Sequence, residues 1–206
     1  MKMSKKQITI ITMVIIVILL LVAGVFLYLN YSKKPVSIIP VTKEDVVKNY
    51  LGGATTGKDD KGTVLSPDQR QELYNKSVEL LALYIQNNPN DVDALTKLAG
   101  AYYNVGNLDK AAETFQKIVV LDPNNALVHN NLANVLRDSG KYSEAEGDYK
   151  RSIEISPNLS APYFNLAVMY GLENKKDEAI KILEEGLIKN PGDETLKQLL
   201  GEYKNS

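Results

Sequence analysis

The chain has 206 residues, 44% of them apolar, and no cysteine, which rules out disulfides, thiolate metal sites and a cysteine nucleophile. Its net charge of −1 hides an asymmetry: residues 1–65 carry nine lysines against four acids, and 66–206 carry 15 basic against 21 acidic side chains. An acidic excess over the larger part argues against a nucleic-acid partner, because phosphate-backbone binding needs clustered Lys and Arg.

Lys2, Lys5 and Lys6 make a basic tail over residues 1–7. Residues 8–29 follow without a charge and are rich in Ile, Leu and Val. As a helix this run is long enough to cross a hydrocarbon core of about 30 Å, so it reads as a transmembrane helix contacting the lipid bilayer. A cleaved signal peptide would have a shorter apolar stretch and a small-x-small cleavage site, and neither is present. Lys33 and Lys34 nearly balance the basic flank. The tail ahead of the run still resembles a signal-anchor, which predicts a single-pass membrane protein with a cytoplasmic N-terminus and the remainder extracytoplasmic.

Residues 30–65 read as a flexible linker. Pro35 and Pro40 interrupt regular structure, and Thr42 with Asp45 offers a capping box for a short helix over 43–51, ended by Gly52 and Gly53. The Gly-, Thr-, Lys- and Asp-rich stretch to Leu65 then predicts a tether, the whole linker spanning about 30 Å as coil. Within it, Gly52 to Gly57-Lys58 matches the spacing of a phosphate-binding loop. Asp59 stands where a magnesium-ligating hydroxyl belongs and no strand precedes it, so the tether reading is preferred.

Ser66 with Pro67 starts a helix running to about Asn87, with Leu73, Leu80, Leu81 and Tyr84 expected on one face. Beyond it the chain becomes periodic: Pro123, Pro157 and Pro191 are spaced by 34 residues, and Pro89 stands 34 before the first. The same spacing relates Ala111, Ala145 and Ala179, then Phe115, Tyr149 and Leu183, then Gly106, Gly140 and Asn174. A fixed period in this range marks a stacked array. Leu95, Leu98, Ala99 and Tyr102 show the spacing of one helix face, and Ala111, Phe115 and Ile118 begin a second after Gly106. The units 92–125, 126–159 and 160–193 are therefore helical hairpins, closed by prolines that cannot continue a helix. Residues 66–91 form a degenerate opening repeat lacking its first helix. Residues 194–206 form a C-terminal capping helix, of the kind a solenoid needs at its open end.

This pattern closely resembles the tetratricopeptide repeat family, with three full units over about half the chain. The resemblance implies an all-α fold, a right-handed solenoid of hairpins. The departures are mild: His129 replaces a large aromatic, Asn174 replaces the turn glycine, and Ser152 and Gly186 fill a small-residue position. Gly186 within a helix is expected to cost roughly 1 kcal/mol against alanine.

The resemblance also implies a function, because the first helices of such hairpins line a groove that holds an extended peptide. The corresponding residues are Thr96, Lys97, Tyr103 and Asn104; Asn130, Asn131, Asn134 and Arg137; and Phe164, Asn165 and Val168. Asparagine amides both donate and accept, so they can pair with a peptide main chain of any sequence. Asn131, Asn134 and Asn165 also resemble consensus residues of the family and read equally well as helix-surface amides. Lys97 and Arg137 fall short of the basic set that the family's chaperone-tail clamp requires.

His129 is the sole histidine, so neither a base pair nor a metal cluster can be built around a second one, and no recognisable nucleophile motif stands near it. It reads as a packed core residue. No cofactor and no enzymatic activity are expected. The reading is a membrane-anchored adaptor or scaffold binding a peptide or helix of a partner protein. The alternative is a self-associating homo-oligomer, motivated by an apolar face of Leu196, Leu199 and Leu200 near the C-terminus.

Overall fold

The computed structural model describes residues 42–59 and 61–205, and these are helical apart from turns and one isolated β-bridge between Lys58 and Val64. The basic tail 1–7, the apolar run 8–29 and linker residues 30–41 lie outside the described residues. Among the described residues no helix is long and apolar enough to cross a membrane.

The first helical segment, α1, occupies 43–56. It begins at Thr42, whose hydroxyl accepts from the Asp45 N–H at 3.1 Å while the Asp45 carboxylate accepts from the Thr42 N–H at 3.3 Å. Lys43–Val46 passes through a π-wound turn at Val47–Leu51 and continues as Gly52–Thr56. The two glycines expected to end the helix do not. Gly53 is instead a close-approach point, since a Cβ there would stand 3.1 Å from Leu73 Cδ1. Gly57, at φ +68°, is the residue that stops α1 in the left-handed conformation glycine tolerates.

The expected tether after Gly57 is a structured turn. Leu65 N–H donates to the Gly57 carbonyl at 2.8 Å, and Asp59 accepts from the Lys61 and Thr63 N–H groups at 2.9 and 2.7 Å. The segment matching a phosphate loop is thus neither loop nor tether, being helical from Gly52 to Thr56. Helix α2, Pro67–Asn87, opens on a second capping box, Ser66 with Gln69, and returns along α1. The opening repeat therefore has a first helix after all, supplied by 43–56. Val46 and Ala54 of α1 are fully buried, and Val46 joins Leu81 and Leu98 in a small apolar cluster. Because α2 lies between α1 and α3, its buried positions are Tyr74, Ser77 and Leu81. Of the four residues expected on one face, Leu81 is fully buried and Leu73, Leu80 and Tyr84 are half-buried.

The three periodic units are α3 (Val92–Asn104) with α4 (Leu108–Leu121), α5 (Ala126–Asp138) with α6 (Tyr142–Ile155), and α7 (Ser160–Leu172) with α8 (Lys176–Lys189). Their turns are copies of one another. Gly106, Gly140 and Asn174 have φ of 78°, 75° and 58°. The N–H groups of Asn107, Lys141 and Lys175 then bond the carbonyls of Tyr102, Leu136 and Tyr170 at 2.9, 2.9 and 2.8 Å. This left-handed closure satisfies carbonyls that the helix end would otherwise leave unpaired. Ala99, Ala111, Ala133, Ala145, Ala167 and Ala179 are fully buried where helices meet, while Phe115, Tyr149 and Leu183 fill the space between them.

Helix α9, Glu194–Asn205, covers the last hairpin. Leu196 is 0% exposed, and Leu199, Leu200 and Tyr203 pack half-buried on the core. Of the apolar face expected to drive self-association, Leu196 is therefore inside the chain, while Leu199 and Leu200 stay partly exposed. Gly186, expected to be a liability, sits where a Cβ would fall 2.9 Å from Tyr163 Cγ and 3.1 Å from Leu196 Cδ1. Its missing side chain admits both α7 and α9.

Candidate functional site

The first helices of the three periodic units, α3, α5 and α7, share a face that holds a pocket of about 270 Å³. Its floor is Phe115 and Val135, and its walls include Tyr103, Asn131, Asn134, Arg137 and Asn165, with Gly100 at one side. Five of the eleven residues expected to line a groove are thus brought together.

The walls are held by bonds within the chain. The phenol of Tyr149 donates to Asn134 Oδ1 at 2.6 Å and accepts from Arg137 Nη1 at 3.4 Å. Burial raises the pKa of that phenol, so it remains a neutral donor. Arg137 Nε donates to Asp138 at 2.8 Å, and the Tyr103 hydroxyl crosses from α3 to the same carboxylate. Burial by itself would raise the Asp138 pKa; the bonds from Arg137 and Tyr103 outweigh it and hold the carboxyl below its ordinary value. Arg137 is therefore a compensated charge.

The amides divide between inward and outward roles. Asn130, expected in the groove, is 6% exposed, and its side chain accepts from Asn165 Nδ2 at 3.0 Å and donates to Asn131 Oδ1 at 3.4 Å. This chain of amides ties α7 to α5. It leaves Asn131 Nδ2 and Asn165 Oδ1 without an intramolecular partner among the described residues.

The remaining expected residues lie elsewhere. Thr96 bonds the Val92 carbonyl at 2.8 Å, Asn104 bonds the Gly100 carbonyl at 2.7 Å, and Lys97 pairs with Asp93 on its own helix. Phe164 packs half-buried against the core, and Val168 is half-buried outside the pocket lining. Gly100 has no side chain to mark it as a lining residue, and Phe115 reads from the sequence as core of a second helix; Val135 carries no distinguishing signal in the sequence. The one sequence sign of Gly100 is a glycine where the next two units carry Asn134 and Val168.

His129 is buried as expected. Its ring nitrogens lie 2.7 Å from the Asp148 carboxylate and 3.1 Å from the Pro123 carbonyl, fastening α5 to α6 and to the preceding turn. Among the described residues no three His, Asp or Glu side chains converge to hold a metal ion.

Comparison with known proteins agrees with this architecture. Residues 70–135 and 124–187 match models described as tetratricopeptide repeat. No curated protein matches the chain. Among solved structures, one titled "Crystal structure of MamA" is similar at a TM-score of 0.59 and 22% identity, over 67% of this chain and 81% of that one. "Crystal structure of MamA protein" gives 0.58 and 20%, over 79% and 82%. "MamA RS-1 ArsTM double mutant" gives 0.57 and 18%, over 77% and 83%. At these identities the likeness is one of fold.

Proposed function

The chain belongs to the tetratricopeptide repeat family, and from that premise we propose that it is a membrane-anchored adaptor whose α3–α5–α7 face binds an extended segment of a partner protein. The observation that carries this reading is the pocket. Its walls are fixed by Tyr149, Asp138 and Asn130, so little ordering cost remains at the moment of binding. Asn131 and Asn165 each present one free amide atom to pair with a peptide group. The protein performs no chemistry and binds no nucleic acid; it acts by holding partners together.

Anchoring through residues 8–29 is supported by the uncharged length of that run, and the basic tail supports a cytoplasmic N-terminus with the repeats outside. Protease access to the repeats in intact cells tests the topology. Digestion from outside is expected, and full protection would reverse the orientation.

The groove is tested by placing a photo-crosslinking amino acid at Asn131 or Asn165 in the full chain, with Lys117 on α4 as control. Adducts to a partner protein from the first two positions are expected. Adducts from Lys117 alone would move binding to another face. The alternative, self-association through the C-terminal end, is left with the half-buried Leu199 and Leu200, since Leu196 is buried within the chain.

A further inference from the structure

We propose that the bare helical turn at Gly100 makes this pocket a receptor for one neutral, bulky side chain, aromatic or branched aliphatic, carried on the partner's main chain, and not for a carboxylate. This deepens the peptide-binding reading and rests on it.

Gly100 stands in the interior of α3, where glycine costs roughly 1 kcal/mol against alanine. Nothing packed against the helix requires it: apart from its chain neighbours and the surrounding turns of its own helix backbone, no heavy atom lies within 4 Å of where its Cβ would be. Gly186 is the opposite case, with Tyr163 and Leu196 pressed against it. The positions 34 and 68 residues on, Asn134 and Val168, carry side chains, so the notch is confined to the first unit. The open space above Gly100 is the pocket itself.

The chemistry of the pocket selects its occupant. Phe115 and Val135 give an apolar floor, and the volume suits a single large side chain. The one cation in the pocket lining, Arg137, is already matched by Asp138. A carboxylate entering here would lose water without gaining an uncommitted positive charge, which is unfavourable. The two free amide atoms, a donor on Asn131 and an acceptor on Asn165, complement the N–H and C=O of a neutral main chain.

The test is a nuclear magnetic resonance titration of the full isotope-labelled chain with N-acetyl-L-phenylalaninamide and with the side-chain acid N-acetyl-L-glutamic acid α-amide. The neutral compound is expected to shift Gly100, Asn131, Val135 and Asn165, and the acid to bind at least ~10-fold more weakly. Gly100→Leu fills the notch and should abolish the shifts. Gly147→Leu, at another helical glycine with nothing within 4 Å of its Cβ position, should leave them unchanged. Circular dichroism confirms that both variants fold. Affinities for acid and neutral compound within about twofold, or unaltered binding by Gly100→Leu, would overturn the proposal. If crosslinks from Asn131 capture a partner while the neutral compound shifts nothing at the notch, the side-chain preference falls and the groove stands. If the notch binds the compound but no groove position crosslinks a protein, the groove reading falls.

Discussion

Lys43 Nζ lies 3.2 Å from Asp91 Oδ2, joining the first residue of α1 to the residue that caps α3, 48 positions away. Asp91 also accepts from the Ala94 N–H at 2.9 Å and from the Tyr84 hydroxyl at 3.1 Å, while Lys43 reaches Asp93 at 2.9 Å. One carboxylate thus serves as a helix cap and as the latch that holds α1 to the repeats.

Lys43→Ala and Asp91→Asn should each loosen α1 without disturbing α3, because asparagine still caps a helix. The pair is partly solvated, so the loss is about 0.5 kcal/mol. Asp91→Ala removes the cap as well and should cost about 1 kcal/mol more. Hydrogen exchange resolved along the chain separates the cases: faster exchange over 43–56 alone for the first two, and over 92–97 also for the third. Equal protection of 43–56 in wild type and Lys43→Ala would show that Val46 and Ala54 hold α1 unaided.

The same latch sets a pH dependence. The Ala94 N–H first, and then Lys43 and Tyr84, lower the Asp91 pKa in the folded chain. A carboxylate depressed on folding contributes stability that is complete above its unfolded pKa of about 3.9 and is lost as pH falls through the folded value. Protection of 43–56 should therefore be flat from about pH 8 to 5 and decline below about pH 4. In Asp91→Asn the decline over that segment should be shallower, and a wild-type decline centred near neutrality would contradict the assignment.

Gly186→Ala and Gly147→Ala make opposite predictions from the same substitution. At Gly186 the new methyl meets Tyr163 Cβ and Cγ, atoms near the backbone of a fully buried ring that cannot swing aside. Overpacking of about 1–3 kcal/mol should outweigh the helix-propensity gain, lowering the melting temperature. At Gly147 nothing opposes the methyl, and a gain of about 0.5–1 kcal/mol should raise it. Thermal melts of the two full-length variants decide this by sign.

Tyr149→Phe should cost about 1–2 kcal/mol by removing the donor to Asn134 and the acceptor for Arg137. It should also loosen the pocket walls, so binding at the α3–α5–α7 face should weaken although Tyr149 itself is fully buried. A stability loss with unchanged crosslinking from Asn131 would show that the walls are set by other contacts.

Much of this architecture was legible without coordinates. A 34-residue period means that each hairpin meets nearly the same neighbours, so the buried face of every helix is written three times over, in Ala99, Ala133 and Ala167 and again in Ala111, Ala145 and Ala179. The left-handed turns at Gly106, Gly140 and Asn174 follow from the same repetition. Contacts made only once leave no such trace. The docking of 43–56 rests on Lys43, Val46 and Ala54, each used a single time, against partners that local composition does not reveal. Gly186 and Gly100 are both helical glycines with the same apparent penalty. Only the placement of Tyr163 and Leu196 around one, and of empty space above the other, makes the first a packing requirement and the second an opening. The amino-acid sequence determined the stack of hairpins, because periodic burial is a local, repeated property. Tertiary structure decided which amides face inward, which charges are already paired and where the surface is open, because those depend on atoms brought together from distant parts of the chain.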